Sequence, residues 1–155
     1  MEHKTLRDVQ QLAAVYPEKG ASASEVRRSR LERLASLLEH EVKPLSLFSQ
    51  VEFLRTEQLE PLRVDNSPLT IAYADPVFRA QGLASDRYGE AMRFFDLTSH
   101  EAHFLLCDCH YYGAYYGVAI RPEMLARRAR SLARRMRVGE LLQSFRGWIR
   151  DLWQR

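Results

Sequence analysis

Three of the five histidines in this chain lie close to a cysteine between residues 98 and 111. If this segment is a helix, His100, His103, Cys107 and His110 share an arc of about 80°, because successive residues are about 100° apart. Imidazole and thiolate are the ligands that zinc and related transition metals prefer. This face therefore predicts a metal site, with zinc or another transition metal as the cofactor.

The rise of a helix limits how many of these side chains one ion can bind. Residues 100 and 110 would be about 15 Å apart, whereas metal–ligand bonds are near 2 Å. One ion would take two of the four residues, or three with strain, and further ligands such as His40 or a carboxylate would come from elsewhere. His103 and Cys107, one turn apart, are the best-spaced pair.

Two other interpretations of this face stay open. Aligned histidines are common as packing or interface residues, and the chain has neither a Cys-x-x-Cys pair nor a His-Glu-x-x-His motif. Alternatively, Cys107 is a redox or nucleophilic thiol with His103 or His110 as its base. On the same wheel Cys109 falls on the core face as a small buried residue. Both cysteines are expected to be reduced, because they are too close in a helix for a relaxed disulfide.

The segment that follows is rich in tyrosine. Residues 111–117 have the sequence YYGAYYG, and the rings and hydroxyls of Tyr112, Tyr115 and Tyr116 could line a ligand pocket or stack on a base. The alternative is a loop that packs aromatic rings over the domain edge, with Gly113 ending the preceding helix.

An arginine-rich helix is predicted over residues 122–137. Opposite its apolar stripe lie Arg127, Arg128, Arg130, Arg134, Arg135 and Arg137. From residue 121 onward the chain has ten arginines against three acidic residues, so its charge is polarised. We expect this face to contact a nucleic acid, an acidic protein or the chain's own acidic part, or else to be an ordinary solvated face.

The elements that carry these residues are predicted to be helices. A capping side chain followed by proline, or three residues later by glutamate, recurs at Ser22, Ser67, Asp75 and Thr98. Gly82 fits a left-handed C-terminal cap, and Ser85 or Asp86 is expected to open the next helix.

Apolar stripes predict further helices over residues 6–16, over residues 31–42 until Pro44, and over residues 47–54 before Pro61. Residues 69–73 have an alternative as a short strand, because β-branched and aromatic residues favour one.

These signals together predict an all-α fold, a compact single domain over residues 1–155 with about eight or nine mostly short helices. The stripes of residues 125–136 and 141–152 point in nearly opposite directions on a straight helix. We therefore predict a helical hairpin or bend near Gly139.

The function expected from these features is that of a binding or regulatory protein. The sequence has no recognised catalytic motif, and it has no signal-peptide core or apolar run of membrane-spanning length, so a cytoplasmic location is expected. The partner would be a protein or nucleic acid at the arginine-rich helix. The alternative is a metal-binding sensor or enzyme built on residues 100–110, and a homo-oligomer is compatible with either.

Overall fold

The computed structural model of the chain describes residues 21–49, 54–111 and 119–135. These ranges contain seven α-helices and one 3₁₀ turn, namely α1 (Ala23–Glu39), α2 (Thr56–Leu59), α3 (Pro68–Ala74), α4 (Pro76–Ala80), α5 (Tyr88–Phe94), α6 (Ser99–Leu106), the 3₁₀ turn (Asp108–His110) and α7 (Pro122–Arg134). The predicted all-α fold is confirmed, although seven helices are slightly fewer than the eight or nine expected. The predicted first helix, residues 6–16, and the predicted bend near Gly139 lie outside the described residues.

The caps predicted at Ser22, Ser67, Asp75 and Thr98 are formed. The hydroxyl of Ser22 accepts a hydrogen bond from the backbone N–H of Glu25, whose carboxylate accepts the N–H of Ser22 at 2.6 Å. Thr98 and Glu101 form the same reciprocal pair at the start of α6. Because each capping box satisfies two backbone donors at a helix start, these starts are determined locally.

Gly82 ends α4 as predicted. Its φ of +102° lies in the left-handed region. The N–H of Gly82 donates to the carbonyl of Arg79, and the N–H of Leu83 reaches back to the carbonyl of Phe78. These are the two hydrogen bonds of a Schellman motif, and the buried Leu83 packs on the core.

The centre of the fold is an antiparallel pair formed by α1 and α7. Beyond the end of α1, the N–H of Leu45 donates to the carbonyl of Ile120 at 2.8 Å, and the N–H of Ile120 donates back at 2.8 Å. At the other end of the pair, Arg27 at the start of α1 donates to the carbonyl of Leu132 near the end of α7. The shared core is apolar and includes Leu31, Leu34, Leu38, Leu125, Ala129 and Leu132.

Two predicted helical spans differ from the structure. The helix with the stripe of Leu31, Leu34 and Leu38 is present, but it ends at Glu39, and Val42 is 90% exposed. Residues 47–49 of the next predicted helix are not helical, because Phe48 bonds to the backbone beside Cys107 and is not available to close a helical turn. Residues 50–53 of that span lie outside the described residues.

Helices α3 and α5 test two further predictions. Residues 69–73 lie in α3, so the strand alternative is wrong. Neither Ser85 nor Asp86 caps α5; the first N–H groups of this helix, on Tyr88 and Gly89, instead donate to backbone carbonyls of Leu62 and Glu60. The carboxylate of Asp86 pairs with Arg63.

In the described part of the chain, no helix has both the length and the apolar character needed to cross a membrane.

Candidate metal centre

Helix α6 ends earlier than the wheel of residues 98–111 assumes. It stops at Leu106, and Cys107 has an extended backbone with φ −99° and ψ 142°. The N–H of Phe48 donates to the carbonyl of Leu106 at 3.0 Å, and the N–H of Asp108 donates to the carbonyl of Phe48 at 3.0 Å. This tertiary pairing takes the place of helical hydrogen bonds, and the chain resumes as a 3₁₀ turn.

The early end changes the predicted environments of the two cysteines. Cys107 is 0% exposed within the core, and its sulfur is hydrogen bonded to the Tyr88 hydroxyl. Burial, followed by the proximity of Cys107, raises the pKa of Tyr88 well above its usual range. Cys109 is half-buried beside His103. The prediction that Cys107 shares a face with His103 is therefore wrong, and Cys109 packs against the core as predicted but is only half-buried.

His103, Cys109 and His110 form a compact cluster. Nδ1 of His103 lies 2.7 Å from Nε2 of His110, and Nε2 of His103 lies 3.7 Å from Sγ of Cys109. The two imidazole rings are nearly perpendicular, with centroids 4.7 Å apart. With one ligand atom taken from each residue, all three atoms lie within 4.8 Å of one another.

This donor set fits a borderline transition metal ion. Zinc bonds to nitrogen and sulfur of about 2.0–2.3 Å place the donor atoms of a tetrahedral site about 3.3–3.6 Å apart. With one ligand atom from each residue, the donors lie within 4.8 Å of one another, so they would have to move closer to reach tetrahedral spacing. The 2.7 Å and 3.7 Å separations start from opposite ring nitrogens of His103, and one ion would use only one of these nitrogens.

The other predicted ligands lie elsewhere. His100 is exposed on the first turn of α6 and is not a member of the cluster. His40, at the end of α1, has its Nδ1 2.7 Å from the carbonyl oxygen of Ser36. The structure therefore brings together two of the four predicted residues and adds Cys109.

Arg128 of α7 contacts the backbone on both sides of the cluster. Its guanidinium donates to the carbonyl of Phe104 at 2.6 Å and also to the carbonyl of His110. The same group lies over the Tyr111 ring, 3.6 Å from its centroid, and over the Phe104 ring at 4.4 Å. Predicted as part of a contact surface, Arg128 instead has an internal role.

Two of the remaining predicted arginines, Arg130 and Arg135, contact other described residues. Arg130 pairs with the carboxylates of Glu39 and Glu32, and the hydrogen bond to Glu39 raises the pKa of Arg130 while it lowers that of Glu39. Arg135 lies 5.5 Å from the centroid of the Phe104 ring.

Arg127 and Arg134 are exposed, and neither forms an ion pair with a residue that the structure describes. The predicted pocket residues Tyr112, Tyr115 and Tyr116, together with Arg137, lie outside the described ranges.

An open groove of about 600 Å³ lies on another part of the molecule, along α2 and α5. It is lined by Glu57, Glu60, Pro61, Ser85, Arg87, Glu90 and Arg93. Arg93 already pairs there with Glu60 and Glu90, so much of the charge is balanced within the groove.

No protein-family model, curated protein or solved structure matches this chain at a significant level. Function is therefore inferred from the residues themselves.

Sequence reasoning missed Cys109 as a member of the cluster and Arg128 as its neighbour. No local signal marks the end of α6 at Leu106, because the hydrogen bonds that end it come from Phe48. A helical wheel continued past that residue assigns Cys107 and Cys109 to the wrong environments, although it correctly groups His110 with His103.

Proposed function

We propose that this protein binds a transition metal ion of the zinc type through His103, Cys109 and His110. The observation that carries the proposal is the convergence of two imidazoles and one thiol, with their ligand atoms within 4.8 Å. Two nitrogen donors and one sulfur donor are a set that zinc and copper ions favour. The ligands come from α6 and the 3₁₀ turn, so a bound ion would link these two elements.

Metal analysis of protein purified without a histidine tag tests this proposal. We expect about one equivalent of metal after zinc is added, and a melting temperature that falls when a chelator removes it. The matched variants are C109A and C107A. Each removes one thiol, and the two cysteines are two residues apart in the chain. C109A should weaken zinc binding at least about tenfold, as expected for loss of a direct ligand, whereas C107A should retain the stoichiometry.

Two results would contradict the metal proposal. One is the absence of stoichiometric metal together with a melting temperature that zinc and chelator leave unchanged. The other is loss of zinc in C107A but not in C109A, which would point to the core thiol instead.

A second candidate function is contact with an anionic partner, a nucleic acid or an acidic protein, through the exposed part of α7. It is favoured by the exposure of Arg127 and Arg134, which lie two turns apart with no described ion-pair partner. Each phosphate neutralised by such a group releases counterions, so binding would weaken steeply with salt.

Fluorescence anisotropy with a labelled duplex DNA and a labelled single-stranded RNA tests the nucleic-acid form of this second function. We expect binding at 50 mM salt that weakens by 200 mM, and a salt slope that falls by about two when Arg127 and Arg134 are both replaced by glutamine. R87Q, at the exposed arginine that immediately precedes α5, is the control. Two results together would contradict this second function. One is negligible binding of nucleic acid at low salt, and the other is that the double variant binds the same protein partners as wild type.

A cytoplasmic location belongs to the same proposal. Both cysteines are free thiols, as is usual in a reducing compartment. Cell fractionation tests the location, and sedimentation of the purified chain measures whether it forms the homo-oligomer that the sequence also allows.

A further inference from the structure

The guanidinium of Arg128 is the one group from α7 that contacts the backbone of both metal-binding elements among the described residues. The guanidinium donates to the carbonyl of Phe104, the residue next to His103 in the chain. It also donates to the carbonyl of His110, which is itself a ligand. The ring of Tyr111, stacked under the guanidinium, follows His110 directly.

These contacts bear on the spacing between the two imidazoles. His103 lies on the last turns of α6 and His110 lies in the 3₁₀ turn, with the extended residue Cys107 between the two elements. The extended backbone at Cys107 separates the elements, so their relative placement depends on contacts from outside. Phe48 supplies backbone hydrogen bonds on both sides of Cys107, and Arg128 supplies a side-chain contact to each element from α7.

We infer that Arg128 is the positioning residue of the metal site and that it determines how tightly the site holds its ion. This inference rests on the proposed metal function. The guanidinium acts on the ligands through the backbone that carries them, in the way that residues outside a coordination sphere orient metal ligands. Arginine suits this role because its planar group donates in two directions while its face stacks on a ring, which a lysine ammonium cannot reproduce.

A core variant on another helix separates positioning from general stability. Leu69 of α3 is buried in the core, and α3 contributes no residue to the cluster or to the contacts of Arg128 described above. L69A removes apolar packing and is therefore a destabilised variant in which those contacts remain.

A Co²⁺ titration of the full chain, monitored by visible absorption spectroscopy, tests the inference. The variants are R128K and R128M, compared with L69A and with R130M. The last removes an arginine of the same helix that pairs with Glu39 and Glu32, on α1. Circular dichroism and the free energy of unfolding are measured for each protein, so that affinity is compared among folded samples.

We expect wild type, R130M and L69A to bind Co²⁺ with similar affinity and the same ligand-field spectrum. Both Arg128 variants should bind about 10–100-fold more weakly, the range typical for outer residues that orient ligands, and with shifted ligand-field bands. R128K keeps the positive charge but lacks the planar guanidinium with its two donating nitrogens. If R128K binds Co²⁺ as weakly as R128M does, the geometry of the guanidinium accounts for the lost affinity.

The outcomes separate the inference from the proposed function. If wild type binds Co²⁺ and both Arg128 variants match its affinity and spectrum, the inference is overturned and the metal function stands. If L69A weakens Co²⁺ binding as much as the Arg128 variants do, the role of Arg128 is structural only, which also overturns the inference. If wild type binds no Co²⁺ and no Zn²⁺, the proposed function fails and the inference falls with it.

Discussion

Tyr88 and Tyr111 are buried phenols, and each hydroxyl has a protein partner. Tyr88 is hydrogen bonded to the Cys107 sulfur, and Tyr111 donates to the carbonyl of Leu105. Burial is the largest effect on both and raises the pKa of each above its ordinary value of 10.0. The cation of Arg128 opposes this shift at Tyr111 without cancelling it.

The raised pKa values predict a loss of stability in alkali. An unfolded tyrosine releases its proton near pH 10, whereas these two keep theirs in the fold, so the free energy of unfolding falls as pH rises above about 10. Each such tyrosine contributes about 1.4 kcal/mol per pH unit to this slope. Urea unfolding between pH 9 and 11 should show a shallower slope for Y88F and for Y111F.

Y73F is the matched control for this slope, because Tyr73 is 38% exposed on α3. It should leave the pH dependence unchanged. Identical slopes for wild type, Y88F and Y111F would show that neither buried phenol controls alkaline stability.

At the scale of elements, α5 depends on a close backbone contact with the chain before it. A Cβ added to Gly89 would lie 2.8 Å from Cα of Glu60. That neighbour is backbone and cannot rotate away. The same contact supplies the first hydrogen-bond acceptors of α5, which explains why the helix starts without a side-chain cap.

For the stability of G89A, helix propensity and packing therefore predict changes of opposite sign. Helix propensity alone predicts a gain of roughly 1 kcal/mol on replacing glycine with alanine. The close approach predicts instead a loss of about 1–3 kcal/mol, as for other overpacked sites. Urea unfolding decides between them, and a variant more stable than wild type would contradict the packing account. Adding E60A should not rescue G89A, because the nearest atom is Cα.

Other elements show how much of the fold was predictable from local sequence. The starts of α1, α3, α4 and α6 follow their capping residues, since the partners lie within three residues. The ends of α1 and α6 were not predicted. The end of α6 depends on Phe48, which lies far away in the chain.

At the scale of the molecule, Arg27 joins three parts of the fold. It is 4% exposed, pairs with Glu101 at 2.7 Å, and donates to the carbonyls of Asp96 and Leu132. These contacts join the start of α1 to the start of α6 and the end of α7. The basic part of the chain, from residue 121 onward, meets the acidic part at a partly exposed pair between Arg130 and Glu39.

R27A should be among the most destabilising single changes in the described part of the chain. Removing one partner of a buried ion pair costs about 3–5 kcal/mol, because the remaining charge loses its compensation. The neighbouring R28A is the control: Arg28 is exposed, and exposed substitutions usually change stability by less than about 0.5 kcal/mol. Equal effects of the two variants on urea unfolding would contradict the proposed role of Arg27.

The sequence by itself determined the helical class, most helix starts and the Gly82 cap. These features depend on side-chain periodicity and on hydrogen bonds between residues a few positions apart. It also identified His103 and His110 as neighbours of a cysteine, because α6 and the turn after it keep these residues close in the chain.

Only the tertiary structure decided which cysteine joins the histidines and which arginines remain exposed. Phe48 pairs with the backbone on both sides of Cys107, which ends α6, buries Cys107 and brings Cys109 beside His103. Arg128 and Arg130 are engaged by carbonyls and carboxylates from distant segments. Contacts of this kind link residues far apart in the chain, so no local pattern of residue types can encode them.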